Sequence, residues 1–183
     1  MLSLILSMER SYISEVLGGK EEKVLVKGWV HDKRDLGKIR FLLLRDVTGI
    51  IQITAIKDKT NNKDFELMKE ISSESVLSIE GKTKESKQAP GGVEIIPDKI
   101  EIISRAEQPL PIDVSDFSKT IIDKRLDWRS LSLRTKKSRA IFKIQAKIIE
   151  GMQEWLNKNG FYQVFTPCLM GVPSESGSEV FEV

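Results

Sequence analysis

The sequence predicts a five-stranded all-β barrel followed, across a proline-stiffened linker, by the beginning of an α+β domain. Three observations lead there. Five short apolar runs alternate with turn signals between Lys23 and Ser104, a polar stretch with two nearby prolines follows, and an apolar period of three to four residues sets in after Ser138. A chain of 183 residues has room for one small domain and part of a second.

The stretch KVLVKGWVHDKRDLGKIRFLLLRDVTGIIQITAI reads as three strands separated by the turn-like DKRDLGK and DVTG. SVLSIEGKT and GVEIIPDKIEIIS supply two more strands, and the polar NNKDFELMKE between the third and fourth suits a helix. Five strands with a helix after the third predict a Greek-key barrel of the OB type over residues 1–104.

Strand alternation assigns the faces. Val24, Val26, Gly28 and Val30 share one side of the first strand, Leu42 and Leu44 of the second, Ile51, Ile53 and Ala55 of the third. That side is aliphatic and belongs in a core. The other side carries Lys27, Trp29, His31, Phe41, Leu43, Arg45, Gln52 and Thr54. Rings, cations and an amide on one face suit unpaired bases, which stack on aromatics and are read along their edges. Outward aromatics equally serve as the seam to a neighbouring domain, so the pattern leaves both readings open.

RAEQPLPIDVSDFSKT, with Pro109 and Pro111, marks a linker or hinge region over residues 105–133. Residues 134–183 open the second domain. There, Ile141, Ile144, Ile148, Met152, Trp155 and Leu156 recur at helical spacing, with Ser138 as the expected N-cap and Gly160 as the residue after the helix. FYQVFT is expected as a short strand ended by Pro167.

Composition narrows the class. A net charge of +2 excludes a global polycation, so any anion-binding surface must be local. Cys168 is the single cysteine, which excludes an intramolecular disulfide and argues against a cysteine metal centre. The opening MLSLILS lacks a basic n-region and is too short to span a bilayer, so a cytoplasmic setting with no membrane partner is expected.

The unit NGFYQVFTPCLMGVPSESGSEVFEV resembles motif 1 of class II aminoacyl-tRNA synthetases. Together with GWVHDKRDLGKIRFLLLRD, GIIQ, RLDWRSLSLR and AIFKIQ, it is similar to the aspartyl-tRNA synthetases of the archaeal and eukaryotic type, from about Met8 to Val183. The resemblance implies an ATP- and magnesium-dependent homodimeric ligase that attaches aspartate to tRNA(Asp) through aspartyl-adenylate. It further implies anticodon contacts at Arg34, Phe41, Gln52 and Glu94, with the Phe41 ring stacking on the central base and the Gln52 amide reading that uracil. His31 and Pro90 match the relaxed type that also accepts tRNA(Asn). Pro167 belongs to the dimer-forming motif 1, and Glu175 matches the glutamate of a mobile loop over the aspartate pocket.

The chain departs from the family pattern at Ser176, where the loop has glycine, and at Ser132, where aspartate is usual. By the same resemblance MERSYISEV marks an alternative start at Met8, and motifs 2 and 3 fall beyond Val183. No catalytic, metal-binding or ATP-binding residue is therefore assigned, and the chain alone is expected to bind an anticodon weakly without catalysing. An asparaginyl-tRNA synthetase and a non-catalytic tRNA-binding OB module stand as the alternatives.

Overall fold

The computed structural model describes residues 9–19, 22–115 and 119–166, in two compact units that divide between Leu110 and Pro111. Met8, Pro167, Cys168, Glu175 and Ser176 lie outside the described residues.

The first unit is the expected barrel. Its strands are β1 (Lys23–Asp35), β2 (Ile39–Arg45), β3 (Ile50–Ile56), β4 (Val76–Glu85) and β5 (Val93–Ser104), closed in the order β1-β2-β3-β5-β4. All neighbours are antiparallel except β3 and β5, which run parallel with Gln52 opposite Glu94 and Ile53 opposite Ile95. The aliphatic side of the alternation fills the interior: Val24, Val26, Val30, Leu42, Leu44, Ile51, Ile53, Leu77, Ile79 and Ile95 are inaccessible to solvent. Burying each such side chain stabilises the fold by about 1.5–3 kcal/mol.

Two glycines let the strands bend around this small core. A Cβ on Gly28 would stand 2.4 Å from the Arg45 carbonyl oxygen, and one on Gly81 would stand 2.3 Å from that of Ile96. Neither strand could keep its path with a larger residue.

Two helices plug the barrel. Helix α1 (Ile13–Leu17), which the sequence pattern does not reveal, adds Ile13 and Val16 to the core. Helix α2 (Asn62–Glu70) lies where expected, begins with the Asn61 side chain accepting from the Lys63 N–H, and buries Phe65 and Met68. The Arg40 guanidinium lies 4.0 Å from the Phe65 ring centroid and donates to the Phe65 carbonyl at 2.6 Å, which ties α2 to β2.

The expected turn DKRDLGK is shorter than predicted. Residues 32–35 continue β1, paired with residues 40–43 of β2, and the chain reverses only over residues 36–38. The polar character of this stretch reflects exposure on both faces, not a break in the strand. His31 occupies a bulge between the Val30–Leu44 and Asp32–Leu43 pairs.

The second unit contains α3 (Ile122–Asp127), α4 (Arg129–Ser132) and α5 (Lys136–Lys158). Helix α5 is capped by Thr135 and not by Ser138: the Thr135 hydroxyl oxygen accepts from the Ser138 N–H at 3.3 Å. Both residues carry a suitable hydroxyl, and the earlier one wins because Ser138 sits inside the first turn. Gly160 follows the helix with φ of 83°, as its placement after the cap requires. Residues 161–166 form no strand, since no ladder partner for them exists among the described residues. At Ser132 the side-chain hydroxyl accepts from Arg125 Nε at 3.2 Å.

Asp46 fastens α1 to the β2–β3 turn. Its carboxylate, 2% exposed, accepts from the Ile13 N–H at 3.0 Å, from the Thr48 N–H and hydroxyl, and from the Gly49 N–H. Burial works to raise its pKa, but the hydrogen bonds, led by that of Ile13, hold it below the ordinary value. A lowered folded value means a stabilising contribution that is complete above about pH 4 and is lost as pH falls through the folded pKa. Asp46→Asn is expected to lower the unfolding free energy at neutral pH by about 1–3 kcal/mol and to flatten the acid limb of a urea-unfolding series; an unchanged acid limb would contradict this.

Candidate nucleic-acid interface

The extension of β1 past the bulge builds one wall of a surface groove of about 370 Å³. β1 contributes Asp32, Lys33 and Arg34, the following turn Leu36, β2 Phe41 and Leu43, β3 Gln52, and the β4–β5 connection Gln88 and Pro90. This volume lies within the usual range of small-ligand sites, about 300–1,000 Å³. Four of the residues expected to act together, Arg34, Phe41, Gln52 and Pro90, therefore line one groove.

Local structure explains their placement. Arg34 and Phe41 are partners across the β1–β2 ladder, so a guanidinium and a ring are presented side by side. The turn that carries Leu36 is fixed by Asp35, whose carboxylate accepts from the Gly37 N–H at 2.8 Å and from Arg40 Nε at 3.0 Å. Those bonds, first Gly37 and then Arg40, hold the Asp35 carboxyl below the usual range. Lys33 donates to the Lys69 and Ile71 carbonyl oxygens at 2.9 and 2.7 Å, anchoring the groove wall to the end of α2.

Glu94 behaves differently from the other anticodon candidates. It is 5% exposed and sits behind Gln52, accepting from Gln52 Nε2 at 3.1 Å, from the Thr54 hydroxyl at 2.7 Å and from Lys84 Nζ at 3.4 Å. Its carboxylate is engaged with protein on both oxygens.

His31 and Arg45 are not among the groove-lining residues. Arg45, placed on the open face by simple alternation, is 5% exposed and pairs with both oxygens of Glu74, itself 3% exposed, at 2.8 and 2.9 Å. The His31 bulge and the positive φ of Glu74 bring these groups together. Arg45 Nη1 lies 3.1 Å from His31 Nδ1. A guanidinium can only donate, so in this contact Nδ1 is the acceptor.

Sequence reasoning missed Lys33, Leu36 and Gln88 as groove residues. Lys33 and Leu36 were hidden in a stretch that reads as turn, and Gln88 lies in a loop whose position depends on the β4–β5 pairing. The apolar stripe of α5 is exposed, with Ile144, Met152 and Trp155 each about three-fifths accessible. Near its end, Met152, Leu156, Phe161 and Tyr162 border a second groove of about 310 Å³. Among the described residues no group of three or more His, Cys, Asp or Glu side chains could hold a metal ion, and no helix is long and apolar enough to cross a membrane.

Comparison with known proteins gives this geometry a context. Residues 24–103 match the family model of the OB-fold nucleic acid binding domain, and residues 122–183 match that of the class II tRNA synthetases for D, K and N. The chain is 40% identical over 175 residues to an aspartate–tRNA(Asp/Asn) ligase of Archaeoglobus fulgidus, covering 95% of this chain and 41% of that protein. It is 41% identical over 169 residues to an aspartate–tRNA(Asp) ligase of Pyrococcus horikoshii, covering 92% and 38%. The solved asparaginyl-tRNA synthetase of Pyrococcus horikoshii superposes with a TM-score of 0.80 at 35% identity, over 90% of this chain and 39% of that one. The chain thus spans about two fifths of the length of the curated relatives it matches.

The buried Arg45–Glu74 pair separates support of the fold from contact in the groove. Glu74→Ala leaves a buried cation without its partner and is expected to cost about 3–5 kcal/mol in urea unfolding. A loss below about 1 kcal/mol would place the pair in the range of exposed salt bridges.

Proposed function

We propose that this chain is the N-terminal part of a class II aminoacyl-tRNA synthetase of the aspartate, lysine and asparagine group, and that it supplies the anticodon-reading domain and motif 1 of an aspartate–tRNA ligase. The observation that carries the reading is the groove in which Phe41, Arg34 and Gln52, from three consecutive strands, face one space. A ring offers a stacking platform, the guanidinium a phosphate or base-edge contact, and the amide a hydrogen-bonding edge.

The complete protein would join aspartate to tRNA(Asp) at the expense of ATP, with magnesium neutralising phosphate charge. Aspartate is favoured over asparagine because the two ligases compared are 40% and 41% identical, against 35% for the asparaginyl structure. The resemblance at His31 and Pro90, with Pro90 on the groove wall, supports acceptance of tRNA(Asn) as well. The stripe of α5 that is exposed among the described residues supports dimerisation through motif 1, since an apolar face of that length favours association. The site of action is the cytoplasm.

In binding to an aspartate anticodon stem-loop, Phe41→Ala is expected to weaken affinity by about one to two powers of ten, the worth of one stacked base at roughly 1–3 kcal/mol, with the thermal melt unchanged. Parallel loss of stability and affinity would make Phe41 a packing residue instead. Aminoacylation of tRNA(Asn) by the complete protein is expected above background; activity confined to tRNA(Asp) would refute the relaxed specificity.

A further inference from the structure

We propose that Thr54 and Glu94 are positioning residues that hold the Gln52 side-chain amide by its nitrogen and leave its carbonyl oxygen as the acceptor offered to the groove, so that the groove selects a base presenting a ring N–H donor. This deepens the reading of the groove as a base-binding site and rests on it.

The Thr54 hydroxyl has a single proton, and it lies 2.7 Å from Glu94 Oε2, a carboxylate oxygen that can only accept. Thr54 therefore donates to Glu94, and its oxygen accepts from Gln52 Nε2 at 3.2 Å. Glu94 Oε2 lies 3.1 Å from the same Nε2, so the three atoms form one triangle and the amide nitrogen is held by groups that are each 5% exposed. A flipped amide would set its oxygen against a carboxylate and against a hydroxyl whose proton is already used. Lys84 Nζ, 3.4 Å from the other carboxylate oxygen, supplies the counter-charge.

Backbone geometry enforces the arrangement. Gln52 and Glu94 are partners across the parallel β3–β5 seam, and Thr54 lies two residues along β3 on the same face. Gln52 lines the groove, and its remaining polar atom, Oε1, is an acceptor. Uracil carries an N–H at ring position 3, whereas cytosine carries a lone pair there, which would face Oε1 in repulsion. An acceptor left without a donor in a partly buried site costs far more than the same mismatch in water.

The test is binding of the whole 183-residue chain to anticodon stem-loops whose central base is uridine, cytidine or 3-methyluridine, with thermal melts of every variant. The wild type is expected to prefer uridine over both alternatives by about tenfold or more. Glu94→Gln, which lets the amide turn, and Thr54→Val, which removes its acceptor, are expected to reduce that ratio to about twofold, with Thr54→Ser restoring it. A merely structural role would lower the melt or weaken all three stem-loops in parallel with the ratio intact. Wild-type preference that survives in Glu94→Gln and Thr54→Val would overturn this inference and leave the base-binding groove standing. Equal wild-type binding of all three stem-loops would overturn both.

Discussion

Closure of the barrel between β3 and β5 is the constraint on which the rest of the structure depends. Among the five strands it is the one parallel ladder, and it is short, with Gln52 opposite Glu94 and Ile53 opposite Ile95. One residue of each pair goes inward to the core, where Ile53 and Ile95 are fully buried. The other goes outward, where Gln52 and Glu94 meet beside the groove. A slip by one position would put the carboxylate into the aliphatic core and expose the isoleucines, so core packing also fixes the polar register.

The same logic explains why the charged groups of this barrel are sorted as they are. Glu94, Glu74 and Asp46 are all nearly inaccessible, and each is saturated with hydrogen bonds or a cation. Asp46 holds α1 against the β2–β3 turn, Glu74 holds Arg45, and Glu94 holds Gln52. A buried carboxylate is costly unless satisfied, and each of these is satisfied by partners from distant parts of the chain. They tie local segments into one arrangement, while Phe41 and Arg34 at the mouth of the groove remain available to a ligand.

Much of this was legible before any coordinates. Alternation in GWVHDKR, FLLLR and IIQIT placed Val30, Leu44 and Ile53 inside and Phe41 and Gln52 outside, because a half-buried strand enforces a period of two. Arg45 escaped that rule because the bulge at His31 and the left-handed backbone at Glu74 draw it under cover, and neither leaves a periodic trace. The burial of Glu94 left no trace either, because its partner Gln52 lies 42 residues away across the closing seam. Helix α1 is only five residues long, too short for periodicity to declare it. The cap of α5 is Thr135 and not the expected Ser138, a choice between two hydroxyl residues three positions apart that periodicity does not make. Residues 161–166 have strand-forming composition but no neighbour to pair with, and pairing is a property of the fold, not of the segment.

The most direct test of the central claim, that barrel closure assembles a base-reading groove, is a crystal structure of the chain with an aspartate anticodon stem-loop. The account predicts the central base stacked on the Phe41 ring, its ring N–H within hydrogen-bond distance of Gln52 Oε1, and the Gln52–Thr54–Glu94 network unchanged. A stem-loop held only through phosphates, with its bases away from Phe41 and Gln52, would contradict it.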